Sequence, residues 1–189
     1  MDHQLSYRRT IISLLAEIYY LMAGVGDLEA ALRSGNEDRT VEELRKIKSK
    51  ISPKGMRIRK VMDILQKSSS PRVRNAAAIA LADMRAVSAK DTLIDLLRRD
   101  ETQGSRGTLL YALDEIGTKI PIAVLVDVIL GDSYEAQQEA VSLITADRAE
   151  CTSQEWMRVK RKLEAALDTR NEAAGRALDY LSKHQQPGS

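Results

Sequence analysis

Apolar residues recur along most of the chain at the spacing of amphipathic helices. The segment that stands out, residues 73–84, reads VRNAAAIALADM and is rich in alanine. Small side chains at helical spacing let helices approach closely, so we expect this helix to lie between neighbours. The residues predicted to be buried in such contacts, here and further along the chain, are Ala77, Ala80, Leu81, Leu109, Leu113, Ala140 and Ile144.

The alanine-rich segment is one copy of a repeat. Residues 74–84 align with residues 106–116 at a spacing of 32, and further copies follow after 31 and 34 residues. A second apolar pattern, centred on an aspartate, also recurs every 32 residues, at Asp63, Asp95 and Asp127. Each unit therefore predicts two amphipathic helices and a turn, stacked on the next unit.

The segment from Pro71 to Met84 carries a proline, a valine-arginine pair and an alanine-rich run. In these features it resembles the HEAT-repeat superfamily, in particular the short bacterial HEAT-like repeats first noted in phycobilisome lyases. The resemblance covers roughly Met56 to Leu181. It implies an all-α fold, a right-handed HEAT-like solenoid, whose usual work is to hold another macromolecule. It also implies that the family's corresponding arginine, for which Arg72 and Arg74 are the candidates, ties adjacent repeats together, and it does not by itself imply chemistry.

Outside the repeats the pattern predicts further helices. We expect residues 1–52 to form an N-terminal helical cap, residues 53–184 the repeats and residues 185–189 a flexible tail, in one continuous domain. The apolar face between Leu5 and Met22 would cover the first repeat. The same face could instead join two copies of the chain, so a monomer and a weak homodimer both stay open.

Local signals place several helix ends. A stop at Gly24–Val25–Gly26 is followed by a helix that we expect Asp27 to cap. Thr40 with Glu43, and Thr152 with Glu155, have the spacing of capping boxes. Strand-turn-strand signals are missing, so no strand is predicted.

Composition excludes several classes of protein. A lone cysteine, Cys151, cannot form an internal disulfide, and no apolar run is long enough to cross a bilayer. The sequence from Met1 to Arg9 lacks the order of a signal peptide. We therefore expect a cytoplasmic protein without a membrane partner.

Signals for catalysis are weak. The histidines, His3 and His184, lie at opposite ends of the chain, so we expect no metal and no cofactor. Cys151 has no recognisable base near it, and the glycines at 24 and 26 do not form a phosphate-binding loop. The interpretation is a protein that is not an enzyme.

Charge is nearly balanced overall but unevenly distributed. Residues 45–74 contain eleven basic residues and one acid, whereas residues 91–155 contain thirteen acids and five basic residues. The basic segment could contact a nucleic acid or another polyanion, although it contains no aromatic residue to stack on bases. The residues proposed for such contact are Lys54, Arg57, Arg59 and Lys60.

The aspartates of the repeat, Asp63, Asp95 and Asp127, should recur on the helix that lines the concave side of a HEAT solenoid. They would form either a binding row or a structural ladder with neighbouring repeats. The favoured hypothesis is a protein-binding scaffold or adaptor. Its alternatives are an inhibitor, such as a toxin-immunity protein that binds a basic polypeptide, and a polyanion binder. The residues predicted to contact a protein partner are Asp95, Arg98, Arg99, Asp127, Trp156 and Arg158.

Overall fold

The computed structural model describes residues 26–49, 54–168 and 171–184, and this part of the chain is predominantly helical. Helix α1 is described over residues 26–33. The other α-helices are α2 (Glu37–Lys46), α3 (Lys54–Lys67), α4 (Pro71–Asp83), α5 (Lys90–Leu97), α6 (Arg106–Ile116), α7 (Ile122–Gly131), α8 (Tyr134–Thr145), α9 (Ser153–Leu167) and α10 (Glu172–His184). Short 3-10 helices lie at Ile47–Ser49, Val87–Ala89 and Asp100–Thr102. The prediction of an all-α fold built from paired helices is confirmed.

The chain divides into two compact units, the N-terminal unit Met1–Met84 and the C-terminal unit Arg85–Ser189. The predicted cap at 1–52, repeats at 53–184 and tail at 185–189 stay predictions, as does the right-handedness of the solenoid. The predicted Leu5–Met22 face, the residues Gly24 and Val25, and the tail lie outside the described residues.

In the N-terminal unit, α4 packs against both α3 and α2. The Ser70 hydroxyl accepts a hydrogen bond from the Val73 amide at 3.3 Å, and Pro71 occupies the first turn, so α4 begins with two favourable signals. Ala77, Ala78 and Leu81 are fully buried. Small side chains thus hold α4 close to its neighbours.

In the C-terminal unit, the helices pair as α5 with α6, α7 with α8, and α9 with α10. One row of helices, α6, α8 and α10, packs each against the next, and α7 packs against both α5 and α9. These three helices contain alanines with no exposed surface, at Ala112, Ala136, Ala140, Ala174 and Ala177. All the residues predicted to be buried in the repeats are buried, which confirms the repeat register.

A very short parallel sheet was not predicted. Strand β1 (Ile120–Pro121) pairs with β2 (Ala149–Glu150), and the Ile120 amide donates to the Arg148 carbonyl at 2.8 Å. The prediction of no strand is wrong here, because the turns that precede α7 and α9 run side by side. A contact of this kind depends on the stacking of two repeats and leaves no local signal.

Two predicted helix starts are also wrong. Asn36, rather than Thr40, caps α2, since its side-chain oxygen accepts from the Arg39 amide at 3.0 Å. Thr40 lies inside α2, is buried, and donates its hydroxyl to the Asn36 carbonyl. Asp27 lies within α1 rather than before it. The capping box of Thr152 and Glu155 is confirmed at the start of α9.

Candidate functional site

A groove of about 450 Å³ lies between α2 and α4 in the N-terminal unit. Helix periodicity brings its residues together, because positions 41 and 45 share one face of α2, position 48 follows in the adjoining 3-10 helix, and positions 72, 76, 79 and 83 share one face of α4. The lining residues are Val41, Arg45, Lys48, Arg72, Asn75, Ala76, Ile79, Ala80 and Asp83. The groove therefore combines aliphatic and charged side chains.

The apolar part of the groove comes from the alanine-rich face of α4. Ile79 has 42% of its surface exposed, although it lies between the buried residues Ala78 and Ala80. Ala76 is half-buried and also lines the groove, so the run of alanines does not serve helix packing alone. Because alanine is short, the space beside Ile79 stays open to solvent and exposes an aliphatic surface.

The charged part is mainly basic, with three cations, Arg45, Lys48 and Arg72, and one carboxylate, Asp83. Lys48 Nζ lies 2.9 Å from Asp83 Oδ2, and Arg72 forms an ion pair with Asp38. Arg45 forms no hydrogen bond or ion pair with any residue that the structure describes. Since all three cations belong to exposed residues, they can meet a negatively charged partner.

The four residues predicted for polyanion contact divide into two pairs. Arg57 donates to the Ile47 carbonyl at 2.8 Å and also to the Lys48 carbonyl, so it closes the end of the 3-10 helix. Lys60 Nζ lies 3.0 Å from Glu29. Lys54 and Arg59 are exposed and have no ion pair within the described ranges. Two of the four residues thus also serve the fold, and contact of the set with a polyanion stays a prediction.

The aspartates of the repeat form different contacts. Asp63 pairs with Lys67 at 2.5 Å and Asp95 with Arg98 at 3.3 Å, both within one turn of helix. Asp127 of α7 pairs at 2.7 Å with Lys162 of α9. Only the contact of Asp127 thus joins two repeats, as a structural ladder would.

The predicted protein-contact set lies in the C-terminal unit. Asp95, Arg98, Arg99, Asp127 and Arg158 are exposed. Trp156 has only 7% of its surface exposed and packs in the core, so it cannot offer its ring to a partner without leaving its place. This corrects the prediction, since the tryptophan faces inward while its neighbour Arg158 on the same helix faces solvent.

A buried ion pair connects two repeats of the C-terminal unit. Arg106 Nη1 lies 3.3 Å from Asp132 Oδ2, with the two side chains 10% and 0% exposed. The other carboxylate oxygen of Asp132 accepts from the amides of Gly104 and Ser133 at 3.0 and 2.7 Å. The equivalent Arg74 is buried as well, and it donates to the carbonyls of Ser68 and Ser69. Both arginines serve the fold.

Two further titratable groups among the described residues, Cys151 and Glu139, have raised pKa values. Burial, and secondarily Glu155, raise the pKa of Cys151, which disfavours a reactive thiolate. Burial and the nearby Asp114 raise the pKa of Glu139. Within the described residues, no group of three or more His, Cys, Asp or Glu side chains could hold a metal ion. The search for membrane-spanning helices over the same part of the chain found none.

The family model of HEAT repeats matches residues 58–145, from within α3 to the end of α8. The match covers 88 of the 189 residues and supports a HEAT-repeat assignment for this segment. HEAT repeats commonly form protein-interaction scaffolds and are generally not enzymes. Neither the curated proteins nor the solved structures include a significant match to the chain.

The sequence contained the residues of the groove but not their grouping. Arg45 and Arg72 belong to the basic segment, and Ile79 and Ala76 were assigned to helix packing. The stripe at 72, 76, 79 and 83 has the spacing of one helix face and was available as a signal. The pairing of this stripe with positions 41, 45 and 48 gave no signal in the sequence, because it depends on how α2 lies against α4.

Proposed function

We propose that this chain is a non-enzymatic protein-binding module of the HEAT-repeat type. The observation that supports the proposal is the groove between α2 and α4, where Ile79 exposes aliphatic surface inside a basic rim. A recess that joins apolar and charged surface is typical of a site for protein side chains. The family supports the same class of function.

The groove fits a protein better than a nucleic acid. The described residues of its lining include no aromatic side chain on which a base could stack. The predicted polyanion residues Arg57 and Lys60 are already engaged in the fold. Phosphates could contact Arg45, Lys48 and Arg72, but a strand of nucleic acid would leave the aliphatic side chain of Ile79 exposed.

A second surface is kept as part of the proposal. Asp95, Arg98, Arg99, Asp127 and Arg158 are exposed charged residues of the C-terminal unit, and they would add polar contacts to a partner. An inhibitor of a basic polypeptide would use the carboxylates among them. The groove favours an acidic partner, whereas Asp95 and Asp127 favour a basic one, so mutations can separate the two sites.

The experiment is affinity capture from an extract of the source organism with the full-length chain as bait. Ile79→Ser is the test variant, and Val87→Ser is its matched control, because Val87 is 62% exposed and does not line the groove. We expect a protein that is retained by the unchanged chain and by Val87→Ser, and lost with Ile79→Ser. Retention of nucleic acid alone, or of nothing, would contradict the proposed function.

A further inference from the structure

We infer that the groove between α2 and α4 binds an acidic amphipathic segment of the partner, in which carboxylates flank aliphatic side chains. The inference rests on the proposed function and goes further, because it specifies the chemistry of the bound segment. Two independent properties of the groove support the inference. Its floor is aliphatic, and the cations of its rim are exposed and bound weakly or not at all by carboxylates of the described residues.

The floor selects aliphatic side chains. Among the described residues, the apolar lining of the groove consists of the aliphatic side chains of Val41, Ala76, Ile79 and Ala80. The volume of about 450 Å³ lies in the range of ligand pockets, about 300–1,000 Å³, and offers room for side chains such as leucine, isoleucine, valine or methionine. A segment with only acidic residues would leave this floor in contact with water.

The rim selects carboxylates. Lys48 and Arg72 have 55% and 59% of their side chains exposed, and their partners Asp83 and Asp38 have 37% and 77% exposed. Exposed ion pairs of this kind contribute only about 0–1 kcal/mol, so a carboxylate of a partner can replace Asp38 or Asp83 at little cost. Arg45 lacks an ion pair among the described residues and needs no exchange.

A helix is the form of segment that meets both conditions most simply. Residues three and four apart share one face, so an acidic helix can direct aliphatic side chains toward Ile79 and carboxylates toward the rim on both sides. The contact is then a third helix laid along α2 and α4. Its specificity comes from charge sign and its affinity from the aliphatic anchors.

The test is selection of displayed random peptides, about a dozen residues long, on the full-length chain. We expect the selected peptides to be rich in Asp and Glu and to contain Leu, Ile, Val or Met. Arg45→Glu and Ile79→Ser should each weaken their binding about tenfold or more. Arg59→Glu and Val87→Ser, exposed residues outside the groove, should leave the affinity within about twofold.

A charge exchange makes the test more specific. Peptides whose acidic residues are replaced by lysine should no longer bind the unchanged chain. The Arg45→Glu variant should bind these lysine peptides in part. Thermal unfolding of every variant shows whether the fold is kept. If Ile79→Ser alone lowers the unfolding temperature, Ile79→Thr replaces it as the test of the floor.

The outcomes separate the inference from the proposed function. Selection of basic peptides, or an equal loss of binding with Arg59→Glu, would overturn the inference and leave a protein-binding module with a different site. Displacement of the peptides by a single-stranded oligonucleotide, with loss of oligonucleotide binding in Arg45→Glu, would also overturn it in favour of a polyanion. If no peptide is selected and no protein is captured, the proposed function fails as well.

Discussion

Two arginine–aspartate pairs, one in each compact unit, show how burial determines the role of a charge. Arg106 and Asp132 of the C-terminal unit are 10% and 0% exposed, whereas Arg72 and Asp38 of the N-terminal unit are 59% and 77% exposed. The buried pair cannot be separated without leaving a charge away from water. The exposed pair can exchange partners with a bound protein, so charge alone does not identify a binding surface.

The same contrast extends to the surroundings of each pair. In the C-terminal unit, Gln103 and Arg148 add further contacts between repeats, to the Gly131 carbonyl at 2.5 Å and to Asp114 at 3.0 Å. In the N-terminal unit, Arg72 borders an open groove with Ile79 on its floor. Polar contacts between repeats thus stabilise one region, and an unfilled space between two helices offers a site in the other.

The largest expected effect is the loss of the buried pair. Asp132→Ala removes the ion-pair partner of Arg106 and the carboxylate that accepts hydrogen bonds from the amides of Gly104 and Ser133. We therefore expect a loss of about 3–5 kcal/mol in the free energy of unfolding. The matched change Asp38→Ala should cost no more than about 1 kcal/mol, because its pair is exposed. Urea unfolding measures both. Equal losses would show that burial does not separate the two pairs.

The next effect should be alike in the two units. Leu81 and Leu113 occupy equivalent positions in α4 and α6, and both are fully buried. Each leucine-to-alanine change should therefore cost about 2–5 kcal/mol, as large-to-small substitutions in a core do. Chemical denaturation followed by circular dichroism gives the values. A neutral result at either position would mean that the helix faces its neighbours differently.

A smaller effect on stability is expected for the charged surface of the C-terminal unit. Reversing Asp95 and Asp127 together breaks two exposed ion pairs, each worth about 0–1 kcal/mol, so the unfolding temperature should change little. If this surface contacts the partner, binding falls. Because Asp127 pairs with Lys162 of the next repeat, unfolding of the double variant would instead identify a structural ladder.

The smallest effect concerns pH. Burial and Asp114 raise the pKa of Glu139, so the folded chain holds this proton more tightly than the unfolded chain. Stability from this group is present below the unfolded pKa and is lost as the pH rises through the folded pKa. The variant Glu139→Gln should therefore lose less stability than the unchanged chain as the pH rises from acidic to neutral. Thermal unfolding across that range measures it, and an unchanged slope would contradict the assignment.

Much of the fold could be predicted because its signals are local. Helical periodicity and the spacing of 32 residues placed α3 to α6, and alanines such as Ala77 and Ala140 marked the close contacts. The cap of α2 was misplaced because Asn36 and Thr40 are both good capping residues, and only the backbone shows which one is used. The pairing of Ile120 with Ala149 depends on stacked repeats and could not be read locally.

The candidate site was less predictable for the same reason. The sequence identifies Arg45 and Arg72 as basic but does not show whether a carboxylate already contacts them. Trp156 was predicted to contact a partner at the surface, although its ring is buried in the core. Which side of an alanine-rich helix stays open depends on its neighbours, so Ile79 could be assigned only from the three-dimensional contacts.

The most direct test of the central claim is the affinity of the captured partner, purified and titrated by calorimetry, for Ile79→Ser and Val87→Ser in parallel. Both variants remove an exposed aliphatic side chain, and only Ile79 lines the groove. We predict that Ile79→Ser binds about tenfold more weakly or worse and that Val87→Ser binds like the unchanged chain. Equal affinities for the two variants would contradict the assignment of the groove as the binding site.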